Sequence, residues 1–368
     1  MNRRLRAFLR RRGASHDEIE RAQRESRLAL LAFDRELMPG RARYTFAEAA
    51  EQAGVELTTA RRLWRALGFA DPPPDARRFT DEDVDVLRTL REWISTGLFS
   101  RERRIDTLVQ QVRVVGGSLA KVAEVHSDAI IDALREARRR GLTDEDIAEL
   151  VPGSLDWDRV SRLLDYALRL QLRAALWRKY AGGEGEEPGA VFLAVGFVDL
   201  VGYTALSQEL DDEELGALVG RFEALAYDTV AEHGARVVKT IGDEVMFVTE
   251  EAASAARIAL RLTERSAVDE VLPDARAGLA WGPVVAQEGD YYGPVVNLAS
   301  RLVGLARPGS TLASEEVHEL LGDDGAFLFD RLRSRRLRDI GRVEVWLLER
   351  GQEGHEPSDT DREASGWR

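Results

Sequence analysis

Residues 237–248 read VVKTIGDEVMFV. Apolar residues alternate, Gly242-Asp243-Glu244 interrupts them, and the apolar run resumes. That is the pattern of two strands joined by a tight turn. A plain hairpin turn favours Asn-Gly or Asp-Gly. Here the glycine comes first and two acids follow, while Lys239 stands inside the first strand. A charged strand residue and a carboxylate at the tip both need a reason.

Working outward, VFLAVGFVDL (191–200) reads as a strand and DDEELGALVGRFEALAYDTVAEHG (211–234) as a helix ending at Gly234. Downstream follow an Ala-rich helix over 252–266 and a second strand pair in ARAGLAWGPVVAQEG (275–289). A helix at 297–306, a strand at 310–313, a helix at 314–321 and two final strands complete the pattern. The expected fold class is α+β: a ferredoxin-like βαββαβ sheet with helices on one face.

The first half reads as helical throughout. HDEIERAQRESRLALLAFDRELM (16–38) is one amphipathic stretch, and Thr143 followed by Asp146 caps a helix over 142–150. The stretch 156–180 carries apolar residues on more than one face, which predicts burial against a partner chain. AGGEGEEPGA (181–190) reads as a linker, and the polar 351–368 as a disordered tail. The expected domains are therefore 1–180, all-helical, and 191–350.

Composition narrows the class. The 368 residues suit two domains. With no cysteine, disulfides and thiolate metal sites are excluded. No apolar run approaches the ~20 residues that span a bilayer. The N-terminus MNRRLRAFLRRRG lacks the apolar core of a signal peptide, so a soluble cytoplasmic chain is expected. Residues 1–180 carry 34 Lys+Arg against 29 Asp+Glu and the rest 18 against 36, so the halves are +5 and −18 within a net −13. Opposite signs favour contact between the two domains. The acidic half makes nucleic acid an unlikely partner but admits nucleotides neutralised by metal ions.

In FVDLVGYT (197–204), Asp199 ends a strand, and Gly202, Tyr203 and Thr204 lead into a helix whose free N–H groups suit phosphate oxygens. A carboxylate beside phosphate makes sense with a divalent cation between them. Asp243 is the candidate second carboxylate, since the hairpin strand and the first strand are neighbours in such a sheet. Paired ions stabilise the attacking and leaving oxygens of an in-line displacement. In GDYYGPVVNLASR (289–301), Asn297 and Arg301 share one helix face, where an amide and a guanidinium suit a sugar oxygen and a phosphate. Singly, each motif has a plain structural reading as a cap, a turn or a polar helix face.

Together, FxDLxGYT, KxxGD and D-x₆-NxASR resemble the catalytic domain of class III nucleotidyl cyclases over roughly 190–350. The resemblance implies that Asp199 and Asp243 bind two ions per site, Mg²⁺ or Mn²⁺. It implies that Lys239 and Asp290 select adenine, and that Asn297 and Arg301 orient the ribose and stabilise charge on the α-phosphate. Arg338, in RRLRDIGRVEVWLL, falls near a family residue that contacts the triphosphate, although Arg-Asp here replaces the usual Lys-Gly. It further implies sites shared across a C₂ homodimer. The base preference also follows from chemistry. Lysine donates and a carboxylate accepts, complementing adenine N1 and its 6-amino group, whereas guanine reverses both positions. The expected activity is conversion of ATP to 3′,5′-cyclic AMP and pyrophosphate.

Residues 44–90 resemble a MerR-type helix-turn-helix, with Gly54 at the turn, then TTARRLW and FTDEDVDVL. A packing module is the favoured reading, with Trp64 and Leu67 as core. Arg61, Arg62 and Arg65 are the residues that would face phosphate or an acidic domain. The segment RRLWRALGF…FTDEDV also resembles the N-terminal regulatory domain of soluble actinobacterial cyclases, some of which are acid-activated. That implies control by 1–180, with 156–180 transmitting the change. His126 and His233 are the first candidates for a proton sensor. Two alternatives remain at this level. One is a diguanylate cyclase, though Ile241 and Val245 replace residues of its Gly-Gly-Asp-Glu-Phe turn. The other is a transcription regulator that senses nucleotide.

Overall fold

The computed structural model describes residues 1–95, 104–154, 156–181 and 190–351. It divides into two compact units, Met1–Ala175 and Leu176–Arg368. Residues 182–189 of the expected linker and 352–368 of the expected tail lie outside the described residues.

The N-terminal unit is built from α1 (Arg3–Arg11), α2 (His16–Arg24), α3 (Leu28–Leu37), α4 (Phe46–Ala53), α5 (Leu57–Ala66), α6 (Asp81–Ser95), α7 (Arg104–Arg139), α8 (Asp144–Leu150) and most of α9 (Trp157–Ala181). Its core is divided. Leu5, Leu9, Ile19, Ala32 and Ile147 form one cluster, Phe46, Ala49, Phe79 and Val84 a second, and Leu63, Leu108 and Val112 a third. Trp64 and Leu67 are both partly buried, Trp64 against Phe46 and Phe79. Thr143 caps α8 through the reciprocal bonds expected from its spacing to Asp146.

One expectation for this unit is corrected. The stretch 16–38 is two helices, broken at Glu25–Arg27, with Ser26 at φ 53°. No glycine or proline marks the break. The second helix begins where the Leu28 N–H donates to Asp144 Oδ2 at 2.6 Å, a cap supplied from α8. In the single chain, helix α9 leaves Leu163, Tyr166, Leu168, Leu172 and Trp177 exposed, the apolar surface that the expected partner chain would cover.

The second unit contains β1 (Ala190–Leu200), α10 (Tyr203–Glu209), α11 (Asp212–Glu232), β2 (Arg236–Ile241), β3 (Glu244–Thr249), α12 (Ala252–Val268), β4 (Ala275–Gln287), β5 (Asp290–Tyr292), α13 (Pro294–Leu305), β6 (Thr311–Ser314), α14 (Glu315–Leu321), β7 (Phe327–Arg331), β8 (Arg335–Leu337), β9 (Gly341–Val343) and β10 (Val345–Arg350). The main sheet runs β2-β3-β1-β4-β6-β10-β7, with β5 on β4. Within it β2-β3-β1-β4 are antiparallel neighbours, as the βαββαβ pattern requires.

Period-two alternation sorts β1 between two faces. Ala194, Val198 and Leu200 join Phe222, Ile258 and Leu262 of α11 and α12, while Leu193, Val195 and Phe197 join Val295, Ala299 and Val303 of α13. Helices therefore cover both faces, not one as expected. Gly278 permits the second layer. A Cβ there would lie 2.3 Å from the Val303 nitrogen and 2.5 Å from the Ala299 oxygen, so α13 reaches the sheet only over a bare backbone. The segment 275–289 is one long strand and a turn, not a strand pair. Pairing with β1 continues unbroken from Leu200↔Ala275 to Ala190↔Val285 and carries the chain straight through Gly282-Pro283. The two expected final strands are β7 and β10, and the small β8–β9 hairpin lies between them.

Candidate active site

The quoted stretch is a two-residue hairpin. Gly242 takes φ 63° and Asp243 does not turn positive, which is the pattern of a turn with glycine first. This explains Gly-Asp in place of Asp-Gly and leaves the Asp243 side chain at the tip. Strand β3 pairs with β1 so that Asp199 stands opposite Glu244, and the Leu200 N–H donates to the Asp243 carbonyl at 3.3 Å. Two acids 44 positions apart in sequence are thereby brought together.

Their electrostatics are those of crowded like charges. Burial and then the Asp199 charge push Asp243 up to about 6. Burial, then Asp199 and Asp243, also raise Glu244. Arg276 partly offsets this. Its Nε and Nη2 donate to Asp199 Oδ2 at 2.9 and 2.5 Å from the β4 position directly opposite. Sequence reasoning missed Arg276. It lies 77 residues from Asp199, and its only signal is a lone charge in the apolar run ARAGLA.

Among the described residues, no cluster of three or more His, Cys, Asp or Glu side chains is placed to hold a metal ion. Asp199 and Asp243 offer two carboxylates, a donor set of the kind that could hold a Mg²⁺-like ion together with substrate phosphates and water. Crowding of Asp199 and Asp243 is itself a reason for a cation to bind there.

Lys239 and Asp290 also meet: Lys239 Nζ donates to Asp290 Oδ2 at 2.5 Å, both groups being partly buried. Gly202 caps α10 at φ 80°, Tyr203 packs partly against the core, and Thr204 is exposed. Asn297 and Arg301 lie one turn apart on α13 with exposed side chains. Neither side chain makes a hydrogen bond or ion pair among the described residues. Arg338 sits in the turn between β8 and β9, 90% exposed, with Asp339 at 3.7 Å. No described bond connects it to another expected site residue.

In the N-terminal unit, Arg62 pairs with Asp106 and Arg65 with Asp71, while Arg61 lies near Asp71. Two of the three arginines expected to face phosphate are thus engaged within their own unit. His126 is exposed on α7 and His233 ends α11; each ring Nδ1 lies 2.8 Å from the carbonyl four residues earlier. No helix among the described residues is long and apolar enough to cross a membrane.

Comparison with known proteins shows the family of the chain. Residues 2–176 match the family described as adenylate cyclase regulatory domain, and residues 190–350 match the adenylate and guanylate cyclase catalytic domain. An adenylate cyclase of Streptomyces coelicolor is 37% identical over 338 residues, covering 85% of this chain and 87% of that protein. A pH-sensitive adenylate cyclase of Mycobacterium tuberculosis is 34% identical over 360 residues, covering 92% of this chain and 85% of that protein. Among solved structures, the adenylyl cyclase CyaB from P. aeruginosa aligns with a TM-score of 0.40 and 22% identity, over 46% of this chain and all of that one.

Proposed function

The chain belongs to the class III adenylyl cyclases of the actinobacterial two-domain type, and from that premise we propose how its residues divide the work. The enzyme converts ATP to 3′,5′-cyclic AMP and pyrophosphate, and its N-terminal unit is a regulatory domain. The observation that carries the assignment of roles is the convergence of Asp199, near the end of β1, and Asp243, at the tip of the β2–β3 hairpin.

Asp199 and Asp243 hold two divalent ions, Mg²⁺ or Mn²⁺, with Arg276 anchoring Asp199 from the neighbouring strand. When bound, these ions lower the cost of deprotonating the ribose 3′-hydroxyl and offset charge on the phosphates. Lys239 and Asp290 stand ready as a pair to read adenine: the ammonium donates to N1 and the carboxylate accepts from the 6-amino group. The N–H groups at Gly202–Thr204 face the phosphates. Asn297 orients the ribose, and Arg301 neutralises charge as the 3′-oxygen bonds to the α-phosphorus and pyrophosphate departs. Arg338 is a triphosphate contact in the same reading.

Asn297 and Arg301 are exposed and without partners among the described residues, which supports a shared site in which they act on the substrate held by Asp199 and Asp243 of a second copy in a C₂ homodimer. Exposed apolar residues around α9 support the same assembly. A cytoplasmic location belongs to this proposal, and so does a MerR-like helix order in 44–90 that serves packing.

The test uses the purified full chain with ATP or GTP and each metal, the product being identified by mass. Asp199→Ala and Asn297→Ala are each expected to be nearly inactive. Mixed, they recover up to roughly a quarter of the wild-type rate, because half the dimers are then mixed and each has one of two sites intact. No recovery, with mixed dimers verified, overturns the shared site. Proton concentration is proposed as the signal, since one relative is named pH-sensitive. A rate profile that is flat from about pH 5.5 to 8 overturns that part.

A further inference from the structure

We infer that Arg236 and Tyr291 form a clasp that positions the base-reading pair and so contributes to the choice of ATP over GTP. This rests on the reading of Lys239 and Asp290 as the adenine-selecting residues.

Strands β2 and β5 are not neighbours. Strands β3, β1 and β4 lie between them in the sheet. Side chains nevertheless connect the two strands by two parallel rungs. The first is Lys239–Asp290. In the second, Arg236 Nη2 donates to the Tyr291 hydroxyl oxygen at 2.8 Å, and the guanidinium carbon lies 5.3 Å from the Tyr291 ring centroid. A hydrogen bond and a cation–π contact thus hold the same tyrosine.

The backbone makes the second rung possible. Arg236 and Lys239 are three residues apart, so in a regular strand they would point to opposite faces. The β2–β3 register shifts between Val237 and Lys239, with Arg236 opposite Val248 and Lys239 opposite Met246. Val248 and Met246 both belong to the α13-side core, and Val238 packs against it as well. The bulge therefore turns both basic residues to one face.

The rungs are also joined at the far end. The Tyr291 N–H donates to Asp290 Oδ1 at 2.8 Å, while Lys239 holds Oδ2. Both carboxylate oxygens are thereby oriented, one of them by the backbone of the residue that Arg236 fixes. If Tyr291 loosens, the acceptor meant for the 6-amino group loses its alignment. Arg236 and Tyr291 are positioning residues in this sense and need no contact with the base.

The test measures equilibrium binding of 3′-deoxy-ATP and 3′-deoxy-GTP, which cannot cyclise, to the full chain with Mg²⁺, alongside kcat and KM for ATP. Tyr291→Phe and Arg236→Gln are each expected to lower the ATP-over-GTP affinity ratio about tenfold. They should raise KM and leave kcat within about threefold. The double variant should be no worse than either single one, as expected for a shared contact. Arg236→Lys, which keeps the charge, should restore part of the ratio. Lys239→Met is the comparator. If it loses the preference while Tyr291→Phe and Arg236→Gln keep the wild-type ratio, the clasp is wrong and the base-reading pair stands. If Lys239→Met also keeps the preference, the pair itself is wrong and the clasp falls with it. A merely structural contact would lower the melting temperature and leave the ratio untouched. Tyr291→Phe removes one oxygen only, so it remains informative if Arg236→Gln does not fold.

Discussion

Carboxylates in the two units are held in opposite ways. In the N-terminal unit, the backbone of Thr45 holds Glu48 low, the Arg65 side chain does so for Asp71, and the Thr143 side chain for Asp146. Burial pushes Glu18 up, but hydrogen bonds from Ser15 and the Arg35 charge outweigh it. These acids close helix ends or pair with arginine. At the hairpin tip of the second unit, burial and neighbouring acids instead raise Asp243 and Glu244. Asp269, elsewhere in that unit, is held low by Arg221 like the N-terminal acids. The contrast therefore marks the site and not the unit. Acids that close helix ends or pair with arginine are held low, whereas Asp243 and Glu244, buried beside like charges, are raised, with Arg276 offsetting only part of the crowding.

Exchanging charges at the tip gives the largest expected effect. Asp243→Asn should lower kcat/KM by at least about 10²-fold if Asp243 is the metal ligand proposed above. It should raise the melting temperature of the metal-free protein, because one of two crowded charges is gone. Arg276→Gln should lower that melting temperature, since Asp199 loses its counter-charge at a cost on the order of 1–3 kcal/mol. Calorimetry beside Mg²⁺-dependent rates reads both. Metal-free Asp243→Asn melting below wild type would break the comparison.

A smaller effect sharpens the other side. Glu18→Gln keeps the capping pattern, which accepts Glu or Gln, and removes only the charge. Glu18 is held below its ordinary value of 4.5, so its charge stabilises the fold above that value. The contribution fades as pH falls through the lowered folded value. The melting-temperature gap between wild type and Glu18→Gln should be a few degrees at neutral pH and close under acid. A gap that widens under acid would reverse the sign assigned to Glu18.

Local features were legible in the sequence for a physical reason. The hairpin, the Thr143 cap, the stop of α11 just before Gly234 and the alternation of β1 are set by residues within a few positions of one another. The break in 16–38 was not legible, because its cap comes from Asp144, 116 residues away. The run through Gly282-Pro283 was not legible either, because pairing with β1 overrides a local turn signal.

The sequence by itself determined which residue types could do the chemistry: two acids, a lysine and an aspartate, an amide and an arginine, each on a recognisable strand, turn or helix. Tertiary structure alone decided that Arg276 faces Asp199 and that Arg236 reaches Tyr291. It also decided that a helix packs over Gly278. Periodicity reports which face a residue takes; it carries no information about which distant strand will lie beneath that face.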